Sequence, residues 1–148
     1  MLTPSSIDAI SRQAIAEYPS ECCGIVTASA SSQRVHPCRN QQDELHAMDP
    51  GQHPRTSREA YDIARSEIER IFADAVAHGE QVVCFYHSHI DCGAYFSQTD
   101  KEALTVFGEP EFPEAVHAVV SVQDWRVKEI SGYVWDEKKR DFVTVRVR

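Results

Sequence analysis

From His87 to Asp100 the chain reads His87-Ser88-His89-Ile90-Asp91-Cys92-Gly93-Ala94-Tyr95-Phe96-Ser97-Gln98-Thr99-Asp100, a pattern of H-x-H-x7-S-x2-D. Two imidazoles, a carboxylate and a hydroxyl at this spacing are the parts of a hydrolytic zinc site. Catalytic zinc takes three protein ligands and keeps one position for water. His87, His89 and Asp100 supply three ligands for one zinc per chain, and Ser97 sits beside the open position. An H-x-H pair alone arises by chance in roughly a third of chains with this many histidines, whereas the full pattern arises in roughly two in a thousand.

These residues need elements to hold them. The segment QVVCFYH, Gln81 to His87, is apolar, β-branched and aromatic, which suits a buried strand. Residues i and i+2 of a strand share a face, so His87 and His89 point the same way with Cβ atoms roughly 6.5–7 Å apart. Ser88 faces the other side, as a packing or orienting residue. The loop Ile90–Phe96 turns the chain with help from Gly93. Ser97-x-x-Asp100 reads as a capping box that opens a helix from Gln98 to Phe107 and holds Asp100 in its first turn. Each residue alone has a plainer reading: a core histidine, an N-cap serine, an acid favoured by the helix dipole. Their joint spacing in a strand–turn–helix context favours the metal site.

The pattern resembles the signature of the JAMM, or MPN-plus, metalloprotease family: an upstream Glu in a P-x-E-x-C-G context, then H-S/T-H-x7-S-x2-D. Pro19-Ser20-Glu21-Cys22-Cys23-Gly24 matches the first part at every fixed position. The likeness in element order runs from residue 5 to residue 147. It departs at Ile90 and Phe96, where many members carry proline. Neither position is a ligand, and both shape the cleft rather than the chemistry.

The resemblance implies an α/β fold, with a mixed, mainly antiparallel curved sheet flanked by helices in a layout similar to cytidine deaminases. It implies zinc on His87, His89 and Asp100, Glu21 as general base, and Ser97 as the oxyanion donor. Zinc lowers the pKa of bound water from 15.7 to about 7. An unligated Glu in reach can carry the proton to the leaving amine, and the oxyanion needs a preplaced donor. The implied reaction is metal-assisted hydrolysis of an amide bond at the C-terminal Gly-Gly of a ubiquitin-like or sulfur-carrier protein. The compact chain is similar to bacterial and archaeal stand-alone members and leaves little room for the inserts of ubiquitin-chain-specific ones. The Gly-Gly tail would bind as an added strand in a narrow cleft. The alternative is a non-catalytic MPN scaffold that binds protein partners; retention of all five functional positions argues against it. A zinc deaminase lacks its H-x-E…P-C-x-x-C signature here, and an amidohydrolase barrel needs about 250 residues.

The 148 residues suit one catalytic domain, 1–148, with one core. A net charge of −8 with no basic stripe argues against nucleic acid. No apolar run reaches the roughly 18 residues of a membrane span, and the first residues lack signal-peptide character, so a cytoplasmic protein is expected. Cys22, Cys23, Cys38, Cys84 and Cys92 make an odd set without C-x-x-C spacing, against a disulfide framework. Cys23 and Cys84 fit the core; Cys92 lies inside the motif loop within reach of competing as a metal ligand, but the His-His-Asp set is already complete without it. His36, His46, His53, His78 and His117 have no matching spacing.

Elsewhere a helix capped by Ser5 or Ser6 should run to about Glu17, with Ile7, Ile10, Ala14 and Tyr18 on its core face and Pro19 ending it. Strands should follow at Gly24–Ala30 and Arg34–Cys38. Asn40–Arg55 reads as mostly loop. Thr56-Ser57-Arg58-Glu59 reads as a second capping box, opening a helix to about His78 that Gly79 stops. Its apolar face holds Ala60, Ile63, Ala64, Ile71, Phe72, Ala75 and Val76. Gly108–Glu114 reads as loop. Three strands near 115–122, 126–135 and 141–147 close the chain.

Overall fold

The computed structural model describes all 148 residues. The elements run α1 (Pro4–Glu17), β1 (Cys23–Ala28), β2 (Gln33–Cys38), α2 (Gln42–Met48), α3 (Arg65–Ala77), β3 (Gln81–Ile90), α4 (Gln98–Ala103), β4 (Thr105–Val106), β5 (Glu109–Pro110), β6 (Val116–Gln123), β7 (Arg126–Asp136) and β8 (Asp141–Val145). Six strands form one sheet in the order β2-β1-β3-β6-β7-β8. Every pairing in it is antiparallel except β3 with β6. A parallel pair cannot be joined by a tight turn and needs a long crossover. That crossover, residues 91–115, carries Ser97 and Asp100.

Alternation along β3 divides the side chains between two faces. Cys84 and Tyr86 join Leu2, Ile7, Ile10 and Ala14 in the core under α1. Phe85 joins Cys23, Ile25, Ile63 and Ile71 on the opposite face, under α3. A third cluster, Ala94, Phe96, Leu104, Val119 and Phe142, lies on that second face beneath the crossover. His87 and His89 therefore emerge on the α3 side, and Ser88 on the α1 side, as the period-two reading requires.

Several elements begin or end elsewhere than the sequence suggested. Thr3, not Ser5 or Ser6, caps α1: its side chain accepts from the Ser6 amide at 3.2 Å, with Pro4 in the first turn. Ser6 is buried and donates to Gln33 Oε1 at 2.8 Å. Within the expected loop Asn40–Arg55 lies α2. Thr56–Glu59 closes a single turn and does not open a helix; α3 starts at Arg65. The reason is competition for the backbone. Asn40 Nδ2 donates to the Ala60 carbonyl at 3.2 Å, Asn40 Oδ1 accepts from the Asp62 amide at 3.1 Å, and the Gln41 amide donates to the Asp62 carbonyl at 3.0 Å. Residues 60–62 are thereby held outside any helix. Of the expected apolar face, Ala60, Ile63, Ile71 and Ala75 are buried, the first two from the segment before the helix, while Val76 is 79% exposed. Gly79, at φ 65°, terminates α3 as anticipated.

The helix after Ser97 stops at Ala103, because β4 and β5 form a hairpin whose turn residues Phe107 and Gly108 have φ of 51° and 78°. Part of the expected loop Gly108–Glu114 is thus strand. In the loop leaving β3 the left-handed residue is Asp91, at φ 56°, rather than Gly93. Asp91 is fixed there by the Tyr18 hydroxyl, which donates to Oδ1 at 2.6 Å, and by its own amide on the Val122 carbonyl at 2.8 Å. No helix is long and apolar enough to cross a membrane. All five cysteines are free.

Candidate metal centre

The end of β3 and the first turn of α4 bring three ligand atoms together. His87 Nε2 lies 3.1 Å from Asp100 Oδ1, and His89 Nε2 lies 3.1 Å from Asp100 Oδ2. The two Nε2 atoms are 3.3 Å apart. His87, His89 and Asp100 are 2%, 4% and 5% exposed. Ligands at 2.0–2.1 Å on a tetrahedral zinc ion stand about 3.3–3.4 Å from one another, so this spacing fits such an ion with little movement. Two imidazole nitrogens and a carboxylate oxygen also suit it chemically.

Neighbours orient the ligands. His89 Nδ1 sits 2.9 Å from the Gly93 carbonyl, which needs a proton on Nδ1 and leaves Nε2 with a free lone pair. Tyr61 stacks on the His87 ring at 4.4 Å and 23°. Asp100 accepts the Ser97 amide at 3.0 Å, and Ser97 Oγ accepts the Asp100 amide at 3.0 Å, a complete capping box. Burial would raise the Asp100 carboxyl, but charge and hydrogen bonding from His87, bonding from His89 and the Ser97 amide hold it well below the usual carboxylate range. Because Ser97 Oγ is used as an acceptor, its proton remains free to donate.

Glu21, two residues before β1, lines the same cleft. Ser88, pointing away from the metal ligands, locks the approach: its Oγ accepts the Cys22 amide at 2.7 Å and its amide donates to the Cys22 carbonyl at 3.0 Å. β1 pairs with β3 so that Cys23 faces His87. The Glu21 amide donates to the Ser57 carbonyl at 2.7 Å, and Asn40 Nδ2 donates to the Glu21 carbonyl at 3.0 Å. The backbone is saturated, yet the buried Oε1 has no partner. Burial, then the nearby charges of Asp100 and Glu59, pushes the Glu21 carboxyl up to about 9. A buried carboxylate oxygen left without a donor is suited to a cation or a water held at the site.

A cleft of about 320 Å³ holds Glu21, His89 and Ser97 together, with Arg55, Arg58 and Tyr95 on its walls. A separate cavity of about 340 Å³, lined in part by Tyr61, Ile63 and Phe112, contains none of the motif residues. Cys92 borders the cleft but stands outside the convergent ligand set, and burial pushes its thiol up, away from the thiolate a metal needs. Among the other histidines only His117 is buried, packed between Phe96 and Phe142. Sequence reasoning missed Tyr61, Asn40, Ser57 and the two arginines. The T-S-R-E string and the polar run before it carried the signal but were read as a helix start and a loop.

The fold has solved counterparts. A protein from Desulfitobacterium hafniense, determined in solution, superposes with a TM-score of 0.70 at 16% identity, over 97% of this chain and 87% of that one. A protein from Salinibacter ruber gives 0.64 at 23% identity, over 98% and 88%. Among curated proteins, the Tail tip assembly protein K of Escherichia phage N15 is 36% identical over 96 residues, 65% of this chain. The match spans 32% of that relative, about a third of its length. Residues 3–135 match the model of the prokaryotic homologs of the JAB domain, and with the convergent His87, His89 and Asp100 in place the chain belongs to that family.

Proposed function

We propose that this chain is a zinc-dependent peptidase or isopeptidase, with His87, His89 and Asp100 as ligands, Glu21 as proton carrier and Ser97 as oxyanion donor. The observation that carries the reading is an unpartnered, buried Glu21 oxygen in the same cleft as His89 and Ser97. A bound zinc ion supplies a Lewis acid that polarises a carbonyl and brings water's pKa near neutrality. Glu21, in carboxylate form, accepts a proton at Oε1 from the attacking water and returns it to the leaving amine. Its high pKa without a cation falls when a positive charge is held beside it. Ser97 donates its free proton to the developing oxyanion while Asp100 keeps the hydroxyl oxygen fixed.

The substrate we favour is the extended C-terminal Gly-Gly segment of a ubiquitin-like or sulfur-carrier protein, cut on its C-terminal side. A second reading rests on the phage relative: the domain acts in tail-tip assembly, cleaving or merely binding a tail-tip component. The test is metal content and hydrolysis measured together, on protein purified without chelator. Wild type should hold about one zinc per chain and cleave Gly-Gly adducts. Glu21→Gln should keep the zinc and lose about 10²–10⁴-fold in rate, and Asp100→Ala should lose the zinc. Zinc-loaded wild type that cleaves no adduct, yet forms a stable complex with tail-tip proteins, would replace this reading with the scaffold one.

A further inference from the structure

Arg55 and Arg58 are the cations of the cleft that holds Glu21, His89 and Ser97. Both are exposed and make no ion pair, as is also true of Arg126, Arg146 and Arg148, which lie outside the cleft, whereas Arg12, Arg34, Arg39, Arg65, Arg70 and Arg140 are paired. Glu21 and Glu59 line the same cleft, yet neither arginine is engaged by them. The backbone that carries them is fixed in place. Gln42 Nε2 donates to the Arg55 carbonyl at 2.9 Å. Asp43 accepts the Ser57 amide at 2.7 Å and the Ser57 hydroxyl at 2.8 Å. The Ser57 carbonyl in turn holds the Glu21 amide at 2.7 Å. Gln42 and Ser57 are buried, so α2 braces the arginine segment directly against the segment bearing Glu21. Each guanidinium keeps its donors free beside the cleft, and a guanidinium can bind a carboxylate bidentately.

We propose that Arg55 and Arg58 form a carboxylate-binding subsite, so that the chain selects substrates whose part flanking the cut bond bears a carboxylate. This rests on the reading above and sharpens it. A free C-terminal α-carboxylate and an acidic side chain share that chemistry, and the test separates them.

The experiment uses three blocked peptides on zinc-loaded protein: one ending in Gly-Gly-alanine with a free carboxylate, the same peptide amidated, and an amidated peptide ending in Gly-Gly-aspartate. Cleavage gives kcat/KM, and calorimetry on Glu21→Gln protein gives Kd, so binding is read whether or not turnover occurs. The free acid should be favoured over its amide by at least about tenfold in either readout. Arg55→Gln with Arg58→Gln should erase that preference by weakening only the acid, and Arg→Lys at both positions should restore part of it. The aspartyl amide matching the free acid would assign the subsite to an acidic side chain; the aspartyl amide matching the alanyl amide would assign it to the chain terminus. Equal handling of all three by wild type, or a preference that survives the double substitution, overturns the proposal. Binding selectivity without hydrolysis would leave the subsite standing and refute the peptidase reading alone.

Discussion

At the scale of single residues, the cleft sets two carboxyl groups against each other. Asp100 is held ionised by the imidazoles and the Ser97 amide, while Glu21, buried with a bare oxygen, is pushed up to about 9. Two acids driven apart by their surroundings can divide ligand and proton-carrier duties. The shift has a consequence for the metal-free protein. Between about 4.5 and 9 the folded chain keeps a proton on Glu21 that the unfolded chain releases, so the folded state binds more protons. Stability therefore falls as pH rises through that window. Glu21→Gln preserves the neutral shape and removes the slope. In chelator, wild type should lose on the order of 4 kcal/mol relative to Glu21→Gln between pH 5 and pH 8, read from denaturant midpoints. Parallel profiles for the two proteins would mean that Glu21 is solvated, which would weaken its assignment as a buried proton carrier.

At the scale of elements, the P-x-E-x-C-G string shows why a motif includes residues that lie away from the cleft. Gly24 pairs with Tyr86 across β1 and β3, and a Cβ there would lie 2.2 Å from the Tyr86 ring. The close approach keeps the two strands in the register that sets Cys23 opposite His87. Gly24→Ala should destabilise the fold by about 1–3 kcal/mol, lowering the melting temperature. Adding Tyr86→Leu should make the penalty smaller than in the single variant; strictly additive losses would show that the two positions are not coupled. The same contrast explains what the sequence disclosed. β3, the capping box and the closing strands follow from patterns of side chains that repeat locally, so they were legible, as was the convergence of His87, His89 and Asp100. The segment from Asn40 to Ala64 was not. Its structure rests on side chain–backbone bonds between distant positions, Asn40 to Ala60 and Asp62, Gln42 to Arg55, and Asp43 to Ser57. None of these leaves a periodic trace. The T-S-R-E string satisfies a capping-box pattern, yet its helix never forms because Asn40 and Gln41 take the backbone groups first. Tyr61 against His87, and the arginines beside Glu21, depend on that segment and were hidden with it.

At the scale of the molecule, the candidate metal ligands lie outside the packing that holds the chain together. The three apolar clusters, of 12, 7 and 5 buried residues, contain none of His87, His89 and Asp100. The ligands instead stand where β3 leaves the sheet and the crossover returns, and their geometry is already set by Gly93, Ser97 and Tyr61. A small domain that depends on its metal for a core unfolds when the metal is removed. This one has its cores elsewhere, and should remain folded, with a cooperative transition, in excess chelator. Zinc that binds only the folded state must still add stability, by about 2.7 kcal/mol at a hundred times Kd. For a chain of this length that corresponds to roughly 5–10 °C in melting temperature. Wild type should show the rise on zinc addition. Asp100→Ala should show none, while keeping a cooperative, somewhat lower transition because it also loses the capping box at α4. Loss of cooperative unfolding in chelator would make the ion structural, tying the fold to the metal and withdrawing the case for an open catalytic position. A folded metal-free protein that zinc stabilises through Asp100 is what a preformed site on an independent scaffold requires.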